Sequence, residues 1–155
     1  MAKFSFKSAG KTAEIKKKEE IAKTPKPIGI VTPLRLSKNS TTWATHSDIG
    51  KQIRDNFRNL LLTNHGERLG QYDFGANLRE LALELTSTEE FDSEAIQRIK
   101  TATSKWMPYV ELDEFVSSVD YQENKTTGTT VIKVKYNVPS VGVFGDVVEV
   151  SVHVT

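Results

Sequence analysis

Side chains that could carry out acid–base, nucleophilic or metal chemistry are few in this chain and lie far apart. The chain has no cysteine, which excludes disulfide bonds, thiolate metal sites and cysteine nucleophiles. His46, His65 and His153 are separated by long stretches of sequence, and their spacing indicates no metal site. Glu89 and Glu90 fall in the first turn of a predicted helix, where carboxylates complement the helix dipole. The sequence therefore predicts no catalytic residue, no metal site and no cofactor.

The composition is that of a soluble globular protein. The chain has 155 residues, of which 37 % are hydrophobic and 26 % charged, and this length suits one ordinary domain. No apolar run approaches the roughly 18 residues of a membrane span, and the first residues lack the apolar region of a secretory signal. We therefore expect a protein that is made in the cytoplasm and does not span a membrane.

Charge is distributed unevenly along the chain. Residues 1–30 carry eight lysines and three glutamates, a net charge of +5, whereas residues 31–155 carry 13 basic and 17 acidic residues, a net charge of −4. Residues 1–28 also lack a periodic apolar pattern and end in two prolines that favour extended backbone. They are predicted to form a flexible lysine-rich arm. Such an arm is either a solvated tail or a segment that becomes ordered on an acidic partner or nucleic acid.

Residues 29–46 are predicted to form an extended segment and a connector. The stretch 29–36 is apolar and β-branched, but Pro33 lacks the N–H that a central strand would donate. We expect an edge or covering strand there. Residues 37–46 are rich in Ser, Thr and Asn, which is typical of a connector.

The first strong helical pattern begins after this connector. Ser47 is the predicted N-cap, with Asp48 in the first turn. The opposite side of the helix carries Lys51, Arg54 and Arg58, which form either a solvated face or a basic docking stripe. The apolar residues that recur at helical spacing predict a core-facing side made of Ile49, Ile53, Phe57, Leu60 and Leu61.

Two further helices are predicted after a glycine-containing turn. Gly66 can adopt the left-handed conformation that ends a helix. Phe74 followed by Gly75 indicates an anchored ring and then a tight turn, after which a short helix begins. The segment 87–90 is a capping box for a third helix, which Pro108 ends.

The last third of the chain has a period of two, which predicts β-strands. Apolar residues alternate with polar ones within 115–121, 132–138 and 148–154. Helices followed by an antiparallel meander predict an α+β fold, in which three helices pack on one face of a small antiparallel sheet. Residues 47–155 are predicted to form this domain.

Residues 52–119 contain a series of motifs in a fixed order. The first helix is followed by the segment 64–68 (Asn-His-Gly-Glu-Arg), then by 72–79 (Tyr-Asp-Phe-Gly-Ala-Asn-Leu-Arg), and then by a capped helix that ends in a proline before a strand. This series resembles the lysozyme-like baseplate wedge family of contractile phage tails, whose relatives occur in type VI secretion and other contractile injection machines. The resemblance covers about residues 42–155 and excludes the arm.

The resemblance implies a non-enzymatic structural subunit of the virion tail baseplate, assembled in the host cytoplasm. The family binds the wedge proteins that form a core bundle, and its sheet offers an edge to strands of the tail sheath. Neither a membrane nor a nucleic acid is an implied partner. The partner-binding residues that the resemblance implies are Gly66, Glu67, Arg68, Phe74, Gly75, Met107, Pro108 and Tyr109. The implied sheath-facing strand contains Val147, Val148, Glu149, Val150, Ser151, Val152, His153 and Val154.

The chain departs from the family at the end of the third helix. Members often have Glu-Pro-Arg there, whereas this chain has Met107-Pro108-Tyr109. Either the docking contact is apolar in this protein, or Glu67 and Arg68 supply its polar part.

Two other functions stay open at this stage. A peptidoglycan-cleaving enzyme would need two carboxyl groups across a cleft, and no pair can be matched to the family's lysozyme label. Nucleic-acid binding through the lysine arm would weaken steeply with salt, because each neutralised phosphate releases counterions. The terminal strand, finally, could be an ordinary hairpin edge with no partner.

Overall fold

The computed structural model describes residues 25–37, 42–84, 88–121 and 128–153, together with Lys18. Most of the predicted lysine-rich arm lies outside these residues. So do Ser87 of the predicted capping box and Val154 at the end of the predicted sheath-facing strand.

Helix α1 spans Ile49–Leu62 and begins one residue later than predicted. Asp48, not Ser47, is the N-cap, and its Oδ1 accepts hydrogen bonds from the Gly50 and Lys51 amides at 2.8 and 3.4 Å. Both residue types cap helices well, so the sequence alone did not fix the starting residue. Of the predicted apolar face, Ile53, Phe57, Leu60 and Leu61 are buried, whereas Ile49 in the first turn is half exposed.

Two more helices complete the helical layer. Helix α2 spans Leu78–Glu84, and helix α3 spans Thr88–Trp106. Glu89 and Glu90 lie in the first turn of α3, as predicted. The Met107 amide still donates to the Thr103 carbonyl at 2.8 Å, and Pro108 then follows.

Strands β1 (Gly29–Ile30) and β2 (Thr45–His46) come first in the described chain. Three later antiparallel strands, β3, β4 and β5, form the main sheet in that order. They span Glu111–Tyr121, Gly128–Val138 and Val143–His153, and a short 3-10 turn joins the last two. The register runs from Tyr121 opposite Gly128 in the first hairpin, and from Thr129 opposite His153 in the second. The α+β fold predicted from the sequence is confirmed.

The core lies between the sheet and the helices. On the strands it consists of alternate residues, as the period of two predicted: Ile132, Val134, Tyr136, Val138, Val148, Val150 and Val152. The Phe57 and Tyr136 rings pack with centroids 4.9 Å apart. The Tyr136 hydroxyl donates to Asp146 at 2.7 Å, and burial, reinforced by this carboxylate, raises the pKa of Tyr136 far above its ordinary value.

The described residues of the segment 29–46 form a small hairpin, which corrects the prediction that 37–46 is only a connector. Strand β1 (Gly29–Ile30) pairs antiparallel with β2 (Thr45–His46), and Leu36 forms an isolated bridge with Trp43. Part of the predicted connector is therefore the second arm of a hairpin. Pro33 lies in the bend after β1, where the strand ladder does not require an N–H donor.

Asp55 of α1 holds the hairpin against the helix. Its Oδ2 accepts a hydrogen bond from the Thr32 amide at 2.8 Å and lies 2.8 Å from the His46 Nε2. Burial by itself would raise the pKa of Asp55, but the Thr32 amide and His46 together hold that pKa below its ordinary value. The ionised carboxylate therefore stabilises the docked hairpin.

The docked hairpin should detach in acid. A lowered pKa means that Asp55 stabilises the fold above its ordinary pKa and that this contribution is lost as pH falls through the lower, folded-state value. Asp55→Ala should reduce stability at pH 7 by about 1 kcal/mol. The Thr32 amide should lose its protection from hydrogen exchange, measured against the intrinsic rate at the same pH, in this variant and, in the wild type, at acidic pH. The exposed Asp113→Ala is the matched control, and equal exchange at Thr32 in both variants would contradict this role.

Candidate functional site

The loop after α1 folds back over the end of that helix. Thr63 is the C-cap and has extended backbone, so Gly66 does not end the helix in the predicted way. Gly66 does adopt a positive φ of 86°, inside the loop, where its amide donates to the Tyr72 carbonyl at 2.7 Å. The Ala76 amide donates a hydrogen bond to the Leu60 carbonyl at 3.1 Å, which satisfies an acceptor at the helix end.

Glu67 closes this loop through Asn64. Its carboxylate accepts from the Asn64 amide at 2.8 Å and from the Asn64 side chain at 2.9 Å. These bonds, the backbone bond first, lower the pKa of Glu67. Glu67 is thus a structural part of the loop as well as a surface charge.

Asn77 fixes the other end of the loop, a role that sequence reasoning missed. It is buried and has a positive φ of 51°, which Asn tolerates better than most residues. Its Oδ1 accepts from the His65 amide at 3.3 Å, and its carbonyl accepts from Arg98 of α3 at 3.0 Å. The available signal was an Asn directly before a helix, a position where this residue often shapes a turn.

Phe74 anchors the loop on α3. Its ring packs edge-on against Trp106 with centroids 5.2 Å apart, and the Arg68 guanidinium lies 4.2 Å from the Phe74 centroid. Next to this stack, Lys105 pairs with Asp73 and holds the pKa of that carboxyl below its ordinary value. The stack ties the loop after α1 to the end of α3.

A cleft of about 610 Å³ opens beside this stack, and we call it the aromatic cleft. Met107 in its wall is buried, whereas Tyr109 is 43 % exposed. Five of the eight predicted partner-binding residues line the cleft, whereas Gly66, Gly75 and Pro108 are not among its lining residues. The lining residues are Asn56, Asn59, Thr63, Glu67, Arg68, Phe74, Trp106, Met107 and Tyr109.

Strand β5 leaves one edge open. It pairs only with β4 in the described chain, and its other edge forms no ladder. The Val147 carbonyl accepts from the Arg54 guanidinium at 3.2 Å, and the Val147 amide donates to the Asp146 side chain at 3.0 Å. The backbone groups of Val147 therefore point away from β4. Because this direction alternates along a strand, the backbone groups of Glu149 and Ser151 point outward as well.

Two clefts lie along this edge. The first, which we call the basic cleft, has a volume of about 400 Å³ and lies between α1, the hairpin and the middle of β5. The second, of about 330 Å³, lies between the ends of α1 and β5 and includes Ser151 and Val152. The basic cleft is lined by Val31, Thr32, Pro33, Arg35, His46, Lys51, Arg54, Asp55, Arg58, Val148 and Glu149.

In the described parts of the chain, no cluster of three or more His, Asp or Glu side chains could hold a metal ion. Asp55, Glu67 and Asp73 all have a lowered pKa, which is the opposite of what a general acid needs. No helix within the described residues is long and apolar enough to cross a membrane.

Comparison with known proteins relates this chain to tail proteins through its fold. No family model and no curated protein matches it. A chain of the anti-feeding prophage baseplate is 17 % identical and superposes with a TM-score of 0.55, covering 70 % of this chain and 82 % of that one. A Geobacter sulfurreducens protein named as a tail lysozyme is 22 % identical, with a TM-score of 0.51, covering 72 % and 94 %. The fold is thus that of the lysozyme-like baseplate proteins, as the sequence resemblance implied.

Proposed function

We propose that this protein is a structural wedge subunit of a contractile-tail baseplate. It docks to the wedge core bundle and templates the first ring of tail sheath by strand addition. The open edge of β5 is the observation that carries this proposal, and the fold shared with a chain of the anti-feeding prophage baseplate supports it. The partners are other baseplate proteins and the sheath protein, and the location is the virion tail, with assembly in the host cytoplasm.

Strand addition uses the backbone of β5. The outward amides and carbonyls of Glu149 and Ser151 can pair with an extended partner segment without any particular side-chain chemistry. The inward side chains of Val148, Val150 and Val152 are buried in the core and hold β5 in register while its edge stays open. An edge strand whose other face is packed into the core suits a template.

The aromatic cleft is the proposed docking site for the core bundle. Met107 and the Phe74–Trp106 stack provide an apolar wall, and Arg68 and Tyr109 provide polar groups beside it. Because the Glu67 carboxylate is already bonded to Asn64, the polar part of the contact falls mainly to Arg68. Aromatic and arginine side chains in such a pocket are typical of the residues that dominate interface energies.

Tyr109→Ala tests this docking site. Tyr109 is half exposed, so its loss should change the free energy of unfolding by about 0.5 kcal/mol or less. Loss of an aromatic anchor should weaken binding to purified wedge proteins about tenfold or more. Tyr72→Ala is the matched control, since Tyr72 is exposed and is not among the residues that line the cleft. Equal binding by the two variants in a pull-down or titration would argue against this site.

The alternative is a peptidoglycan-cleaving enzyme, which the name of the Geobacter sulfurreducens protein suggests. Asp55, Glu67 and Asp73 have a lowered pKa, so none of these three carboxyl groups is suited to be the general acid of such an enzyme. Zymography of the purified protein on cell wall separates the two functions. We expect no clearing, and a cleared zone that disappears when a carboxylate is substituted would favour the enzyme.

A further inference from the structure

The basic cleft has an excess of positive charge beside the open edge of β5. Four cationic side chains line it, those of Arg35, Lys51, Arg54 and Arg58, together with two carboxylates. Both carboxylates have partners, because Asp55 bonds Thr32 and His46, and Glu149 pairs with Lys133 at 3.2 Å. Within the described chain, Arg35, Lys51 and Arg58 form no ion pair. The charge of the cleft is therefore complementary to that of a negatively charged partner.

Arg54 connects this charge to the strand edge. Its guanidinium donates to the outward Val147 carbonyl at 3.2 Å, so it occupies an acceptor that an added strand would use. A charged side chain on an open edge is a known way to prevent unwanted strand pairing. When a partner amide replaces the guanidinium at this carbonyl, a carboxylate of the incoming strand can pair with the freed cation, which otherwise bonds only to water. A strand without a carboxylate at that point would offer the guanidinium no replacement for its bond to the Val147 carbonyl.

We propose that Arg54 and the basic cleft select an acidic extended segment of a partner protein as the strand that adds to β5. In the free protein, Arg54 occupies the Val147 carbonyl. Once the guanidinium is displaced from this carbonyl, it pairs with a carboxylate of the incoming strand. Lys51 and Arg58, one helical turn to either side on α1, attract further carboxylates of that strand. This inference rests on the proposed strand addition and adds the chemistry of the partner.

Charge disfavours the other occupants of the cleft. The lysine-rich arm of this chain carries a net charge of +5 over residues 1–30 and would be repelled. Pairing of β5 with β5 of a second copy would bring two basic clefts together. A nucleic acid could neutralise the cations, but it does not offer the alternating amides and carbonyls that pair with a strand edge.

The test uses short peptides and the full-length protein. An acidic peptide that alternates Glu with Thr is compared with a neutral Ser-Thr peptide and a basic Lys-Thr peptide. Binding is measured by titration, and its place is measured by hydrogen exchange at the Glu149 and Ser151 amides. We expect the acidic peptide to bind most tightly, to protect both amides, and to weaken as salt is raised.

Two charge variants and one control sharpen the result. Arg58→Gln should weaken binding of the acidic peptide about two- to fivefold and leave binding of the neutral peptide unchanged. Arg54→Met should strengthen binding of the neutral peptide about threefold, because no guanidinium then occupies the Val147 carbonyl. The same variant should reduce the preference for the acidic peptide. Lys100→Gln, an exposed substitution on α3, should change neither peptide.

The outcomes separate this inference from the proposed function. If all three peptides protect the two amides equally, strand addition stands and the acidic preference is wrong. If no peptide protects them, strand addition at β5 fails as well. Protection by a double-stranded oligonucleotide at the same amides, in place of the acidic peptide, would overturn the inference in favour of nucleic acid.

Discussion

Gly75→Ala is expected to lower the free energy of unfolding by roughly 3 kcal/mol. Gly75 has a φ of +111°, which a side chain rarely adopts, and an added Cβ would lie 2.0 Å from the Thr63 carbonyl oxygen. This oxygen belongs to the backbone at the end of α1, so relief of the clash requires movement of the loop or of the helix end. Denaturant unfolding measures the loss, and the Phe74–Trp106 stack should be displaced with it.

Gly66→Ala is the matched control for Gly75. Gly66 lies in the same loop with a φ of +86°, but no atom lies within 4 Å of the position that an added Cβ would occupy. Only backbone strain remains, and the expected loss is about 1 kcal/mol. The difference between the two variants therefore measures the close approach of the loop to Thr63. Equal losses would show that the loop can move away from the helix end without penalty.

Periodicity predicted the elements that face the core. Phe57, Leu60 and Leu61 on α1, and the alternate valines of β5, are buried as expected because a stripe or an alternation directly reflects which side meets the core. The residue at which a helix begins was harder to predict when two neighbouring residues could both act as its cap. Ser47 and Asp48 can both cap a helix, and only the folded chain shows that Asp48 does so.

Contacts between distant segments could not be predicted from local pattern. The sequence offered a solvated face or a docking stripe for Lys51, Arg54 and Arg58, and it gave no sign that Arg54 reaches the Val147 carbonyl, 93 positions away. The segment 29–36 carries a strand pattern, but a pattern does not name the partner strand, and the partner is the short stretch after it. Partner choice depends on tertiary packing, which a single segment does not contain.

Ser151→Pro is expected to give a folded protein that no longer supports sheath growth. The Ser151 amide points away from β4, so proline there removes a donor from the open edge and no bond within the sheet. Ser151 is exposed and its neighbours Val150 and Val152 are buried, so the core face should remain packed and the melting temperature should change little. Electron microscopy of tails assembled with this variant should find baseplates without sheath.

The contrast with Val150→Pro makes this result specific to the edge. Amides of successive residues point to opposite edges of a strand, so the Val150 amide faces β4, and proline there breaks the ladder opposite Ile132. That variant should lose the fold itself, by roughly 3 kcal/mol or more, and should not yield a subunit for assembly. Glu149→Pro lies two residues from Ser151, on the same outward edge, and should therefore behave as Ser151→Pro does. If both outward prolines fold and sheath still grows from the baseplate, β5 is not the template, and the edge of β3 becomes the next candidate, because it also pairs only with β4 in the described chain.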